Sequence, residues 1–219
     1  LGGEGVVVYG CLGAPAIAFF MDRGKRRDRG LRGVAEAKDK RGIGLITFGG
    51  LDRESLSFLP PALGEILALE AHWGLALPIP SRAWRARRRQ YVSGPFLVAV
   101  AALPAGEDLR LLGITDVDLF TPGLNFIFGQ AAMGGRECVI CTARLNPSFY
   151  GERYDPGLYQ ERVVKEAVHE LGHTFGLEHC DDERCVMRFS NSLADTDRKG
   201  EDFCPRCRRL YVNLLEQEP

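Results

Sequence analysis

A chain of 219 residues fits one domain, at most divided into two lobes around a cleft, and is long enough to bury a core of ordinary size. With 45% hydrophobic and 26% charged residues, it falls outside both the disordered and the membrane-spanning classes. A formal net charge of −1 gives no global attraction for nucleic acid or an anionic membrane.

The apolar run from Val6 to Met21 lacks the basic residues that precede the apolar core of a secretory leader; Glu4 stands before it, and Arg23 to Arg27 follow it. It is also too short to span a bilayer comfortably. A cytoplasmic protein is therefore expected. Residues 22–41 are rich in Arg, Lys, Asp and Gly with little periodicity, so residues 1–41 read as a mobile N-terminal extension and residues 42–219 as the folded domain.

Residues 43–48 form a short apolar run closed by Gly49 and Gly50, a first strand. Ala62, Leu63, Ile66, Leu67 and Leu69 recur at helical spacing after Pro61, which predicts a helix over 61–72 with His72 near its end. A strand over 75–79 and a helix over 95–103 follow. Residues 111–120 alternate in part and break at Thr121, Pro122 and Gly123; further strands are predicted over 125–128 and 138–143, separated by a turn at Gly134 and Gly135. From Asp155 the period changes. Asp155 is an N-cap, Pro156 suits the first helical position, and Val163, Val164, Ala167, Val168, Leu171 and Phe175 lie on one face of a long helix ending at Gly176. Strands alternating with helices imply an α/β or α+β sheet layered with helices.

That helix carries His169-Glu170-Leu171-Gly172-His173. Two histidines four residues apart project from one helical face, so both imidazoles can reach one metal ion. Gly176 can end the helix in a left-handed conformation and turn the chain so that His179 approaches from another side. Three histidines with one position left open are what a catalytic zinc requires, and Glu170, beside the first ligand, is placed to act as general base on the attacking water. The bland reading, an ordinary amphipathic helix, needs five specified residues to fall into this spacing by chance. Zinc-dependent peptide-bond hydrolysis is the expected function.

Four of the seven cysteines, Cys180, Cys185, Cys204 and Cys207, crowd the C-terminal part of the chain, a clustering that points to metal before disulfide. The elongated histidine motif, followed at once by Cys180, then Cys185-Val186-Met187 and Cys204-Pro205-Arg206-Cys207, resembles the archaemetzincins, a branch of the metzincin zinc peptidases. The resemblance covers residues 42–219. It implies an α+β, two-lobed fold: an α/β-like upper lobe with a mixed sheet, a long active-site helix, and a mainly helical C-terminal lobe. It makes Met187 the methionine beneath the catalytic zinc, and it implies a second, structural zinc on Cys180, Cys185, Cys204 and Cys207, giving two zinc ions per chain. Two disulfides or unpaired thiols are the alternative for these cysteines. Cys138 and Cys141 sit on opposite faces of a predicted strand and, with Cys11, read as ordinary cysteines.

Arg82, Arg85, Arg87, Arg88 and Arg89 beside Trp84 and Tyr91 read as a solvated loop, with acidic-peptide or nucleic-acid binding as the alternative; Arg89-Gln90-Tyr91 also resembles a family segment that precedes a helix. Residues 123–129 resemble the family strand bordering the cleft, where a peptide could add as an antiparallel strand, or else form an interior strand. Tyr150, Tyr154 and Tyr159 precede the metal helix without any spacing that selects one for the oxyanion, and Arg198 and Lys199 are expected to be exposed. The expected partner is a peptide or protein substrate of a monomeric enzyme, with no nucleic acid and no membrane. The rivals are a zinc-binding peptide-recognition protein with little or no proteolysis, and a zinc-knuckle nucleic-acid binder using Arg206, Arg208 and Arg209.

Overall fold

A computed structural model describes residues 6–10, 15–19, 42–104 and 110–217. In chain order the strands and helices are β1 Val6–Gly10, β2 Pro15–Phe19, β3 Gly42–Phe48, α1 Leu59–Leu67, β4 Glu70–Leu77, β5 Trp84–Arg85, β6 Gln90–Val92, α2 Gly94–Ala101, β7 Arg110–Thr115, β8 Leu119–Phe120, β9 Gly129–Ala132, β10 Glu137–Cys141, α3 Pro156–Thr174, α4 Leu193–Arg198 and α5 Pro205–Gln217.

Seven strands form a mixed sheet in the order β2-β1-β9-β10-β7-β3-β4. From β10 to β4 the pairs are parallel, whereas β9 runs antiparallel to β10. The strand period of two sorts the side chains into two cores. Ile43, Leu45, Leu112, Ile114, Cys138 and Ile140 pack with α1 and α3, while Phe48, Leu111, Val139 and Cys141 pack with Phe96, Leu97 and Val100 of α2. The predicted opposition of Cys138 and Cys141 is thus observed. A small sheet, β5-β6-β8, flanks the second core. After α3 the regular elements are the helices α4 and α5, linked by long loops.

The predicted strand over 43–48 and helix over 95–103 hold to within two residues. The predicted helix over 61–72 ends early: Ala68 adopts φ 52°, and β4 begins at Glu70. Leu69, Ala71, Trp73, Leu75 and Leu77 also alternate with period two, and parallel pairing with β3 decided between the two periods. His72 therefore lies on a strand. An extra residue in β4 between its pairings with Leu45 and Thr47 makes a bulge, and Leu75 is exposed. Residues 125–128 are irregular, and the strand expected there is β9, displaced to Gly129–Ala132. Of the N-terminal segment, β1 and β2 form a hairpin that lengthens the sheet beyond β9; Cys11 and the remainder of residues 1–41 lie outside the described residues.

Leu63, fully buried on α1 in the core shared with α3, tests the layer that supports the metal helix. Leu63→Ala is expected to lower unfolding stability by about 3 kcal/mol, measured as a fall in the denaturant midpoint at unchanged slope.

Candidate metal centre

Helix α3 starts where Asp155 accepts a hydrogen bond from the Leu158 amide (3.0 Å) with Pro156 in the first turn. It ends in a Schellman motif: Gly176 has φ 91°, its amide donates to His173 O (2.9 Å), and the Leu177 amide donates to Gly172 O (3.0 Å). From Arg162 to Thr174 every residue is buried, charged ones included. The two basic ones, Arg162 and Lys165, find partners on α4 and, for Lys165, on α3 as well. Arg162 makes a two-pronged bridge to Asp197 (2.7 Å for each prong), and Lys165 donates to the carbonyls of Thr196 and Asp197 and pairs with Glu161.

The histidines of the motif are brought together as predicted. One ligand atom from each of His169, His173 and His179 lies within 4.8 Å of the others. His169 Nδ1 is 2.8 Å from Val186 O and His173 Nδ1 is 2.6 Å from Leu177 O. A carbonyl can only accept, so both Nδ1 atoms carry the proton and both Nε2 atoms present a lone pair. Those two Nε2 atoms stand 3.1 Å apart. Two acceptors at that distance repel unless a cation lies between them, and a zinc ion fits this donor set. Burial is the main cause that pulls His173 down to about 3 and His169 well below its usual value, so the imidazoles are neutral, the form that ligates metal.

Glu170 is buried against β9, where a Cβ on Gly129 would approach its Cγ to 2.5 Å; only glycine leaves room for this carboxylate. Burial, reinforced by the charge of Glu166, raises its pKa well above the carboxylate range, while Lys199 acts in the opposite direction. Among the described residues Glu170 Oε2 has no hydrogen-bond partner. Lys199 was expected at the surface, yet only 2% of it is exposed, because α4 and the loop after it fold against α3; Arg198 is exposed as expected. Lys199 also acts electrostatically on all three histidines. Glu166 could have been found by spacing, one turn before Glu170 on the same face. No local signal marked Lys199.

The cysteines converge as well. The sulfurs of Cys180, Cys185, Cys204 and Cys207 all lie within 4.8 Å of one another, with Cys180 and Cys204 at 3.8 Å. That exceeds the ~2.05 Å of a disulfide and matches the ~3.8 Å edge of a tetrahedron with ~2.3 Å zinc–sulfur bonds. The six described cysteines are all free thiols. The Cys180 amide donates to Met187 O (3.0 Å), and the Arg188 amide to Cys185 O (2.9 Å). Val186, between Cys185 and Met187, supplies the carbonyl that orients His169. Met187 is fully buried beneath Gly172, where a Cβ would come within 2.5 Å of its sulfur.

Residues 107–213 match the family described as Peptidase family M54. The archaemetzincin of Pyrococcus furiosus is 48% identical over 178 residues, covering 78% of this chain and 92% of that protein. That of Methanopyrus kandleri is 51% identical over 139 residues, covering 64% of this chain and 75% of the relative. This chain belongs to the archaemetzincin family. The crystal structure of the Methanopyrus kandleri archaemetzincin superposes with a TM-score of 0.71 at 37% identity, covering 83% of this chain and 100% of that one. An Archaeoglobus fulgidus archaemetzincin complexed with malonate gives 0.65 at 38% identity, covering 76% and 98%. As an archaemetzincin, the chain is a zinc metallopeptidase with the expected mixed-sheet fold, and its substrates are peptides. Among the described residues, no helix is long and apolar enough to cross a membrane.

The loop before β9 departs from the peptide-pairing strand read from the sequence. Asn125 O accepts from Arg88 and Gln90, the Ile127 amide donates to Leu119 O, and Phe128 O accepts from the Cys141 amide. With Ser190 and Asn191, residues 124–128 instead wall a cavity of about 150 Å³. Tyr159 is buried, while Tyr150 and Tyr154 are exposed.

Gly172→Ala is expected to displace Met187 and cost about 1–3 kcal/mol by overpacking, read as a lower melting temperature at equal zinc loading.

Proposed function

We propose that His169, His173 and His179 hold the catalytic zinc of this archaemetzincin, that Glu170 is its general base, and that Cys180, Cys185, Cys204 and Cys207 hold a second, structural zinc. The observation that carries the reading is the pair of Nε2 lone pairs 3.1 Å apart, each fixed by a backbone carbonyl on the opposite ring nitrogen. Zinc bound there supplies a Lewis acid that polarises the scissile carbonyl and acidifies water. Glu170 takes the proton of the attacking water and passes it to the amine nitrogen as the C–N bond breaks. Gly129 and β9 hold the carboxylate in place. Lys199 opposes the effect of burial and Glu166 on Glu170, favouring the ionised carboxylate that accepts the proton.

The sulfur quartet does not touch substrate in this reading. It ties the loop carrying His179 to the segment carrying Val186 O and Met187, so the structural zinc would orient two catalytic ligands. Cysteines held as zinc thiolates rather than disulfides fit a reducing, cytoplasmic setting. The domain itself is proposed to span residues 42–219, with the β1–β2 hairpin added at the β9 edge of its sheet.

Zinc per chain and peptide products, measured on the same samples, test this. Wild type is expected to carry two zinc ions and cleave a diverse peptide mixture. Glu170→Ala should keep both ions and lose about 10²-fold or more of the rate. Full zinc loading of wild type with no cleavage would leave a peptide-recognition protein instead. His173→Ala should lose one ion, and Cys204→Ser the other together with stability, so that a variant retaining both ions would refute the corresponding site.

A further inference from the structure

Residues 71–104 contain no Asp or Glu but hold Arg82, Arg85, Arg87, Arg88 and Arg89, so the positive charge around β5 and β6 is not balanced along the chain. The five arginines divide into two groups. Arg88 is structural: its guanidinium donates to Gln90 Oε1 (3.0 Å), Leu124 O (3.0 Å) and Asn125 O (2.9 Å) and stacks on Phe120 at 4.1 Å. Arg85 curls back onto the carbonyls of Arg82 (2.7 Å) and Trp84 (3.0 Å). Arg82, Arg87 and Arg89 are exposed, and their side chains meet no hydrogen-bond or ionic partner among the described residues. Trp84, 43% exposed, stands among them and packs against Tyr91 with ring centroids 4.8 Å apart. Arg89 also holds φ 55°, a conformation that glycine or asparagine would adopt more cheaply.

This turn is joined to the metal centre. The two carbonyls that Arg88 grips belong to the loop walling the 150 Å³ cavity, whose other side is Ser190 and Asn191. Next to Ser190, Phe189 packs on the ring of His179 at 5.2 Å. The turn is thus linked through one loop to the residues beside His179.

We propose that Arg82, Arg87, Arg89 and Trp84 form a docking surface for an acidic stretch of the peptide substrate. The proposal rests on the peptidase reading above. Guanidinium forks match carboxylates geometrically, and an exposed indole beside them gives the peptide an apolar contact. Nucleic acid fits less well. Leaving out these five arginines, the chain carries 23 Lys and Arg (28 less 5) against 29 Asp and Glu, so a long polyanion would be repelled over the rest of the body while a short acidic segment meets only the turn.

The test uses two zinc-loaded proteins, wild type and Arg82→Ser/Arg87→Ser/Arg89→Ser, matched for zinc content and melting temperature. Two peptides share one cleavable core, flanked by three Asp in one and three Asn in the other. The expected result is a KM about tenfold lower for the Asp peptide in wild type at low salt. That preference should fade as salt rises and disappear in the triple variant, where the Asp peptide falls to the level of the Asn one. Equal KM for both peptides in wild type, or a preference that survives the three substitutions, overturns the proposal. Anisotropy of the labelled Asp peptide on Glu170→Ala reads docking without cleavage. Binding there that needs the three arginines supports the surface even if no peptide is cut, whereas displacement by a short oligothymidylate at lower concentration than by unlabelled Asp peptide identifies a nucleic-acid surface and overturns it.

Discussion

Two imidazoles one turn apart, each tied through Nδ1 to a backbone carbonyl, set the terms for the rest of this molecule. With both tautomers fixed, the two Nε2 atoms face each other as acceptors, an arrangement that burial alone would make unfavourable. The helix must therefore stay straight, stay dry and stop at the right residue. Asp155 and Pro156 define its start, and Gly176 defines its end, releasing the chain so that His179 reaches the same point from outside the helix.

Burying residues 162–174 of that helix brings charged side chains into the interior. The segment after the metal loop answers them: Asp197 receives Arg162, the carbonyls of Thr196 and Asp197 receive Lys165, and Lys199 enters the electrostatic environment of the histidines and Glu170. Loss of the α4 segment would leave several of these charges uncompensated at once. The segment carrying α4 is thus bound to α3 by electrostatics as well as by packing.

The cysteine cluster joins the same system by short paths. Cys180 follows His179 directly, and Cys185 precedes the residue whose carbonyl orients His169. The sulfur cluster and the histidine cluster are therefore separated by a single residue's reach along the chain. Glycine provides the remaining clearances, at Gly172 for Met187 and at Gly129 for Glu170, where a single methyl group would collide with the side chain that the site depends on.

The histidine motif, the cysteine spacing and the caps of α3 were legible in the sequence because each depends on residues close together in the chain, whose relative positions follow from helix geometry alone. The strands over 42–48 and 137–141 were legible by composition. Where two periods coexisted, as at residues 69–77, local pattern was insufficient, and pairing with β3 selected the strand. Residues 125–128 were misread as a strand because their backbone partners come from Arg88, Gln90, Leu119 and Cys141, none of them local. Lys199 was misread for the same reason: nothing in its neighbours indicates burial, which arises only when α4 folds onto α3. The sequence by itself determined which atoms can ligate metal and their spacing along the helix, because those are short-range properties. Only the tertiary structure decided which charges share the interior with them and which arginines lack a side-chain partner among the described residues, because both depend on contacts between residues distant in the chain.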